Sequence, residues 1–345
     1  SIVNYQLTKW LVIFTTYYVL VHKSKAEGQT IGYLAIHVLG KRYIGVFLDP
    51  VLACNFRCKM CYFSDEEKKE KSASTLKYEE IEAIAGSLFH RALKLQIGCG
   101  AEPTLHKDLV KIIALGKRYN VPYVSLTTNG NLLTKNALAV AVENGLDELT
   151  LSAHGFTRET YEYLMTNGKL IVPQAARRRR RNKKQHPQFK LRINYTINND
   201  NLEELNGYGK VVGDELDILQ LRPIQKIGES EYQDFDLTNI YARYDAILVP
   251  LIEECRRKHI ICLAPDKQNI IVLEQNDADD NSIEKITYCY VSPQECWQDE
   301  FDYRTETFES YAAAHHMGRK LLWKVFGRKA RRKADVTRKM NYNIK

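Results

Sequence analysis

Three cysteines lie within eight positions of one another in the stretch CNFRCKMCYF. Three residues separate Cys54 from Cys58, and two separate Cys58 from Cys61. A structural zinc site is closed by four protein ligands, and no further Cys or His follows in the next two dozen residues. Three thiolates can also hold an iron–sulfur cluster that keeps one iron open to an outside ligand. The spacing leaves both kinds of metal centre open.

A disulfide framework is a poor interpretation of these cysteines. The chain has 8 cysteines in 345 residues, far fewer per residue than small secreted domains stapled by disulfides. Its length predicts about two domains and is sufficient to bury a full hydrophobic core. No phosphate-binding P-loop and no serine triad is recognisable in the sequence.

Further stretches follow the cysteines in a fixed order. They are GCGAEPTLH (98–106), LTTNGNLL (126–133) and LTLSAHGFTRETYEYLM (149–165). Together with the cysteine triplet and Tyr62, this series resembles the radical S-adenosylmethionine (radical SAM) enzymes, over roughly residues 44–230. In that family the stretches correspond to the cluster loop, a Gly-Gly-Glu-Pro motif, and the third and fourth strands.

The resemblance implies two cofactors and one type of reaction. Cys54, Cys58 and Cys61 would hold a [4Fe-4S] cluster whose open iron chelates S-adenosylmethionine (SAM). An electron from the cluster cleaves SAM to methionine and a 5′-deoxyadenosyl radical, which abstracts hydrogen from a substrate. The electron implies a reductant protein of the flavodoxin or ferredoxin type. We therefore expect a radical SAM enzyme, with the choice between oxidoreductase and transferase left open.

The resemblance also implies the residues that bind SAM, but it assigns no catalytic residue. Met60 would pack on the adenine, Glu102 would accept a hydrogen bond from the ammonium group, and Ala101 replaces the second glycine of the motif. Taken singly, such residues are also ordinary turn, core or strand positions, which for Asn194 is the preferred interpretation. The candidates are Met60, Tyr62, Gly98, Gly100, Glu102, Asn129, Ser152 and Asn194.

Apolar runs of four to six residues alternate with segments of helical period, which predicts βα units and a parallel sheet. The pattern alone does not separate a barrel from a doubly wound sheet. The resemblance implies an α/β fold, a partial (β/α)6 radical SAM barrel with N- and C-terminal extensions. The expected regions are an apolar extension (1–43), the core barrel (44–230), a cap (231–305) and a basic amphipathic helical tail (306–345).

The last four cysteines fall in the expected cap. A degenerate cap of the SPASM or twitch type would use such thiols for an auxiliary cluster, but their spacing does not reproduce the known pattern. Inert buried thiols are the preferred interpretation, so we expect one cluster per chain. These residues are Cys255, Cys262, Cys289 and Cys296.

Basic residues concentrate in two segments of a chain whose formal net charge is +8. The run RRRRRNKK (177–184) lacks interleaved aromatic residues, which favours a solvated helix or loop over a nucleic-acid site. The tail from Arg319 onward combines basic residues with a helical apolar stripe, which suits docking on the barrel and, as an alternative, an anionic membrane surface. The apolar segment at 10–21 is too short to span a bilayer.

The substrate is less determined than the cofactors. A peptide or protein side chain is the leading expectation, a lipid- or glycan-linked substrate at a membrane surface is second, and nucleic acid is third and unfavoured. The competing functional class is a non-catalytic iron–sulfur or zinc protein, which has no use for a SAM pocket. We expect a cytoplasmic protein, with peripheral association at the inner membrane surface as the alternative.

Overall fold

An eight-stranded sheet organises the described part of the chain. The computed structural model describes residues 32, 34–64, 73–212, 214–226, 230–271, 286–298 and 300–326. All seven strand pairings of the sheet are parallel. Its strands are β1 (Ile44–Leu48), β3 (Ala92–Ile97), β4 (Tyr123–Thr128), β5 (Glu148–Ser152), β7 (Lys190–Ile197), β8 (Ile218–Pro223), β9 (Ile261–Leu263) and β10 (Tyr288–Val291).

Helices connect the parallel strands, as crossover connections require. Among the described residues, the helices between strands are α1 (Tyr78–Leu88), α2 (Leu109–Arg118), α3 (Lys135–Glu143), α4 (Arg158–Leu164), α5 (Val172–Gln185), α6 (Tyr208–Val212) and α7 (Thr238–Arg257). Two more helices, α8 (Phe308–Ala314) and α9 (Met317–Phe326), follow the last strand, β10. Their apolar faces contribute Ile81, Ile112 and Leu138 to the buried core. The expected alternation of strands and helices is confirmed.

The strand order is β10-β1-β3-β4-β5-β7-β8-β9, with β10 and β9 at the two edges. Within the described residues these edge strands do not pair with each other, so the sheet is an open partial barrel rather than a closed one. The six central strands match the predicted (β/α)6 barrel. β9 and β10 come from the expected cap region, 231–305, and extend the same sheet; the division into regions itself remains a prediction.

Strand β7 shows how the sequence divides the two faces of the sheet. Leu191, Ile193 and Tyr195 are fully buried, whereas the residues between them are only half-buried. Side chains alternate across a strand, so the apolar set faces the helices and the polar set, Arg192 and Asn194, faces the lumen of the barrel. The sheet therefore presents polar side chains on its concave face.

The basic run 177–184 lies in helix α5. Arg179 is buried and forms ion pairs with Glu215 at 2.9 Å and with Asp217. Arg177 and Arg180 are exposed. The run is thus a helix with one buried, paired arginine and a solvated outer face.

The C-terminal segment packs on the barrel through aromatic rings. The ring of Trp297 stacks on Phe308 at 5.0 Å, and Tyr311 and Leu321 are buried. Leu322 and Trp323 are exposed on α9. Residues 1–31 and 327–345 lie outside the described residues, and so do the predictions made for them. No helix among the described residues is long and apolar enough to cross a membrane.

Candidate active site

The cysteine loop follows β1, and backbone hydrogen bonds hold it at several points. Its two-residue strand β2 (Arg57–Cys58) pairs antiparallel with β6 (Met165–Thr166). The Lys59 backbone N–H donates to the Leu164 carbonyl at 2.9 Å, and the Lys59 carbonyl accepts from the Tyr232 backbone N–H at 2.9 Å. The loop is therefore held at the carboxyl ends of the strands, where ligands bind in parallel α/β folds.

Cys54, Cys58 and Cys61 are free thiols on this loop. Burial raises the pKa of Cys54 to about 11, and it raises the pKa of Cys58 well above the usual range. The neighbouring thiols Cys61 and Cys54 raise the pKa of Cys58 further, which places the three sulfurs in one electrostatic environment. The Phe56 backbone N–H donates to Cys54 Sγ at 3.4 Å.

Asp49 ties the end of β1 to the glycine-rich loop after β3. Its Oδ1 accepts from the Cys99 backbone N–H at 2.7 Å, and its Oδ2 accepts from the Gly100 backbone N–H at 2.9 Å. The Tyr290 hydroxyl on β10 donates to the same Oδ2 at 2.8 Å. Sequence reasoning missed Asp49, although an acidic residue directly after a buried strand at the cysteine loop was a visible signal.

Glu102 is 2% exposed, and protein donors occupy both carboxylate oxygens. Oε1 accepts from the Thr104 backbone N–H at 3.1 Å, from the Thr104 hydroxyl, and from the Thr128 hydroxyl at 2.5 Å. Oε2 accepts from the Asn129 backbone N–H at 2.8 Å. Burial raises the pKa of Glu102, and these donors act in the opposite direction. The carboxylate joins the loop after β3 to the end of β4, and its contact with SAM remains a prediction.

The two glycines of the motif are crowded by protein atoms. Gly98 has φ +84°, and a Cβ there would lie 2.3 Å from the Thr127 carbonyl oxygen. A Cβ on Gly100 would lie 3.0 Å from the Tyr62 hydroxyl, which donates to the Gly100 carbonyl at 2.8 Å. Glycine at 98 is thus explained by a left-handed backbone and close strand packing. The proposed approach of SAM to these glycines remains a prediction.

The other predicted SAM contacts lie at the same end of the barrel, where the strands end; this end is called the rim below. Asn129 Nδ2 donates to Asn55 Oδ1 at 2.8 Å, which links the end of β4 to the cysteine loop. Ser152 ends β5 and pairs in register with Asn194 on β7. Met60 packs against the core. The structure brings these positions to one end of the barrel, and their contacts with SAM remain predictions.

The lumen of the barrel holds a partly open cavity of about 240 Å³. Cys99 and Gly100 line it at the loop after β3, so it adjoins the motif predicted to bind SAM. The remaining lining is mostly polar and comes from seven strands: Phe47, Gln96, Thr127, Glu148, Thr150, Arg192, Asn194, Gln220, Arg222, Tyr288 and Tyr290. Of these lining residues, sequence reasoning named only Gly100 and Asn194 as site candidates, although the polar alternation along β7 was visible.

The last four cysteines form two separate pairs. Cys255 on α7 and Cys262 on β9 lie at one edge of the sheet, and a hydrogen bond with Cys262 lowers the pKa of Cys255 to about 7. Cys289 is on β10, at the opposite edge of the sheet. The backbone of Cys296 forms an isolated antiparallel β-bridge with Val291 of the same strand. The strand order thus assigns the pairs to opposite edges, an arrangement that favours buried thiols over a shared auxiliary cluster.

The thiols of the cysteine loop fit the predicted cluster by their chemistry. Three half-buried thiols lie on one loop, and a backbone N–H already donates to one sulfur; hydrogen bonds to the sulfurs also tune iron–sulfur clusters. No three His, Cys, Asp or Glu side chains in the described segments are arranged to hold a single metal ion. Cluster thiolates bind different irons, so their sulfurs need not converge on one point.

Comparison with known proteins identifies the domain. Residues 49–193 match the family model of the radical SAM superfamily. A probable GTP 3′,8-cyclase of Sulfolobus acidocaldarius is 29% identical over 213 residues, covering 60% of this chain and 64% of that protein. A protein of the same description from Thermoplasma volcanium is 32% identical over 125 residues, covering 36% of each chain. The chain thus spans less than two thirds of these curated relatives.

Solved structures share the fold. The crystal structure of Streptococcus suis SuiB bound to S-adenosylmethionine aligns with a TM-score of 0.57 and 12% identity, covering 80% of this chain and 66% of that chain. Residues 49–193 thus match the radical SAM superfamily, over less than half of the chain. This match supports a [4Fe-4S] cluster and SAM as the cofactors of the matched domain. The family match ends at residue 193, before the expected cap region, so a cap of the SPASM or twitch type remains a prediction.

Proposed function

We propose that the protein cleaves SAM reductively at a cluster held by Cys54, Cys58 and Cys61, and directs the resulting radical at a substrate in the barrel lumen. The observation that carries the proposal is the placement of three half-buried thiols on a loop that is hydrogen-bonded to the loop 98–102, at one end of a parallel barrel. The cofactor pair supplies a 5′-deoxyadenosyl radical when an external reductant donates an electron.

The protein's own residues position the reaction. The Glu102 backbone N–H donates to the Ala53 carbonyl at 2.9 Å, and the Asn129–Asn55 bond joins a second strand end to the loop. Asp49 fixes the backbone of Cys99 and Gly100. Such a preorganised rim holds reacting groups in place and limits access of water. Cys99 and Gly100 line the cavity, so a substrate held in the cavity would lie beside this rim.

A small polar molecule is the substrate class that we favour over a peptide. The cavity, at about 240 Å³, is slightly smaller than the roughly 300–1,000 Å³ typical of small-ligand pockets, and its lining is largely polar. The curated relatives named above are described as probable GTP 3′,8-cyclases, so GTP is the first compound to test. Neither the peptide substrate nor membrane association gains support from these relatives.

The experiment is anaerobic reconstitution with iron and sulfide, followed by incubation with SAM and dithionite and mass spectrometry of the products. We expect 5′-deoxyadenosine and methionine from the wild type. The triple variant Cys54→Ala, Cys58→Ala, Cys61→Ala should form neither above background, because it lacks the electron source. The matched control Cys289→Ala keeps the loop intact and should retain cleavage. Equal product from the wild type and the triple variant would refute the proposal.

A further inference from the structure

A pair of cysteines lies where helix α7 meets the edge strand β9. Cys255 is in the last turn of α7, on the buried face of that helix with Leu248 and Leu251, and its own side chain is fully buried. The Ile260 backbone N–H donates to the Cys255 carbonyl at 2.8 Å, which closes the end of the helix and turns the chain into β9. Only six residues separate Cys255 from Cys262. The backbone thus brings both cysteines to one corner of the fold.

The side chain of Cys262 faces the layer of helices that contains α7. Cys262 pairs in register with Leu219 of β8, so the two side chains lie on the same face of the sheet. Leu219 is fully buried, whereas Gln220, the next residue of β8, lines the lumen cavity, so Leu219 faces the helices. Cys262 therefore points toward the buried face of α7, and its thiol is hydrogen-bonded to that of Cys255.

The surroundings of Cys255 favour its thiolate. The hydrogen bond with Cys262 lowers the pKa of Cys255 to about 7, although burial opposes it, and the Tyr208 hydroxyl, 3.7 Å from the sulfur, lowers the pKa further. Lys258 acts in the same direction, while Glu254, its ion-pair partner at 3.0 Å, opposes it. The hydrogen bond with Cys255 raises the pKa of Cys262, since one proton then serves both sulfurs. The pair thus holds one thiolate, the reactive form of cysteine, near neutral pH.

The two sulfurs differ in exposure. Cys262 is half-buried, whereas Cys255 has no exposed surface. β9 is an edge strand of the sheet, and its first residue, Ile261, is 50% exposed. A small molecule therefore meets the pair at Cys262. When the shared proton passes along the hydrogen bond to Cys255, the accessible sulfur becomes the thiolate.

We propose that Cys255 and Cys262 form a reversible disulfide by exchange with a low-molecular-weight disulfide. The Cys262 thiolate attacks one sulfur of that molecule, whose S–S bond breaks, and the leaving half takes up a proton from water. Cys255 then loses its proton to water and attacks Cys262 Sγ, which forms the Cys255–Cys262 bond and expels the other half as a second thiol. The protein loses two electrons, and the external disulfide gains them. This modification site goes beyond the proposed function and does not depend on it.

The test incubates the reconstituted full chain with excess oxidised glutathione under anaerobic conditions and maps its peptides without a reductant. Trypsin cleaves between the two cysteines at Arg256, Arg257 and Lys258, so the disulfide appears as two joined peptides. We expect this joined product in the wild type, and we expect dithiothreitol to separate the peptides. Two free thiols after oxidation, or glutathione that stays attached to Cys262, would overturn the proposal. The readout needs no SAM cleavage, so it stands whether or not the proposed function does.

Serine variants separate the roles of the two sulfurs. Cys255→Ser leaves Cys262 without its partner and should accumulate the mixed disulfide of Cys262 with glutathione. Cys262→Ser should carry at least about tenfold less glutathione at Cys255, because a sulfur with no exposed surface exchanges slowly. Cys289→Ser is the matched control, since it removes another fully buried cysteine at the opposite edge of the sheet, and it should form the joined peptides as the wild type does. Equal glutathione uptake by Cys255→Ser and Cys262→Ser would contradict the assigned roles.

Discussion

The Tyr290 hydroxyl donates a hydrogen bond of 2.8 Å to the Asp49 carboxylate, across 241 positions of sequence. This contact joins strand β10, at one edge of the sheet, to the end of β1, which leads into the cysteine loop. Because Asp49 also holds the backbone N–H groups of Cys99 and Gly100, one buried carboxylate connects three parts of the candidate site. Asp49 therefore holds the rim together although it is not one of the predicted cluster ligands.

We expect Asp49→Asn to lower the free energy of unfolding by about 1–3 kcal/mol, since a buried amide cannot replace a carboxylate that accepts three hydrogen bonds. SAM affinity should fall as well, because the loop 98–102 loses its anchor. Urea denaturation and equilibrium SAM binding measure the two effects. Tyr290→Phe removes one of the three bonds and should show the smaller loss, about 1 kcal/mol. Wild-type stability and affinity in Asp49→Asn would contradict the role given to this carboxylate.

The variant Glu102→Gln distinguishes a direct contact of Glu102 with SAM from the hydrogen bonds that Glu102 forms within the protein. The amide keeps one carbonyl oxygen but replaces the other acceptor with a donor, which would face the Asn129 or Thr104 backbone N–H. We expect a loss of about 1–3 kcal/mol in stability, together with weaker SAM binding. Thermal denaturation and SAM titration measure both. Unchanged stability with weaker SAM binding would favour direct contact with the ammonium; unchanged values for both would contradict either role.

His154 should make the fold sensitive to acid. Burial lowers the pKa of His154 from its ordinary value to about 4, and its Nδ1 accepts from the Thr196 backbone N–H at 3.2 Å. The unfolded chain therefore binds a proton near pH 6.5 that the folded chain rejects until about pH 4. Stability should fall as pH is lowered through this window, by roughly 3 kcal/mol in total for this one group.

Urea denaturation across pH 4 to 8 measures the effect of His154, and His154→Gln supplies the comparison. Glutamine can accept the same backbone hydrogen bond without titrating, so its stability should depend less steeply on pH. Parallel pH profiles for the wild type and His154→Gln would show that this histidine does not carry the dependence.

Within the basic run, one arginine should matter far more than its neighbours. Arg179→Met leaves Glu215 and Asp217 without their buried partner, and we expect it to cost about 3 kcal/mol. Arg177→Met, on the exposed face of the same helix, should change stability by no more than about 0.5 kcal/mol. Thermal or urea denaturation of both variants tests this. Equal effects of the two substitutions would contradict the structural role of Arg179.

The sequence predicted the parallel core because its strands and helices have distinct local periods. The cysteine triplet and the ordered motifs fall at the carboxyl ends of the strands, as expected, and their contacts with the cofactors remain predictions. The edge strands were harder: β10 has only four residues, and its pairing with β1 depends on contacts far apart in the sequence. Asp49 and most of the polar lining of the cavity were missed because they come together only when separate strands are assembled into the sheet.

The cluster count is a separate prediction. With Cys255 and Cys262 at one edge of the sheet and Cys289 and Cys296 at the other, we expect about four irons per chain after anaerobic reconstitution. The triple variant of the loop cysteines should bind almost none. A triple variant that kept a full four-iron complement with its own paramagnetic signal would show an auxiliary cluster.

The most direct test of the central claim is the electron paramagnetic resonance spectrum of the reduced, reconstituted protein with and without SAM. If Cys54, Cys58 and Cys61 hold a cluster with one open iron, SAM binds that iron and changes the g-values of the signal. We predict a clear SAM-dependent shift in the wild type and no cluster signal in the triple variant. A wild-type spectrum that stays identical when saturating SAM is added would contradict the account.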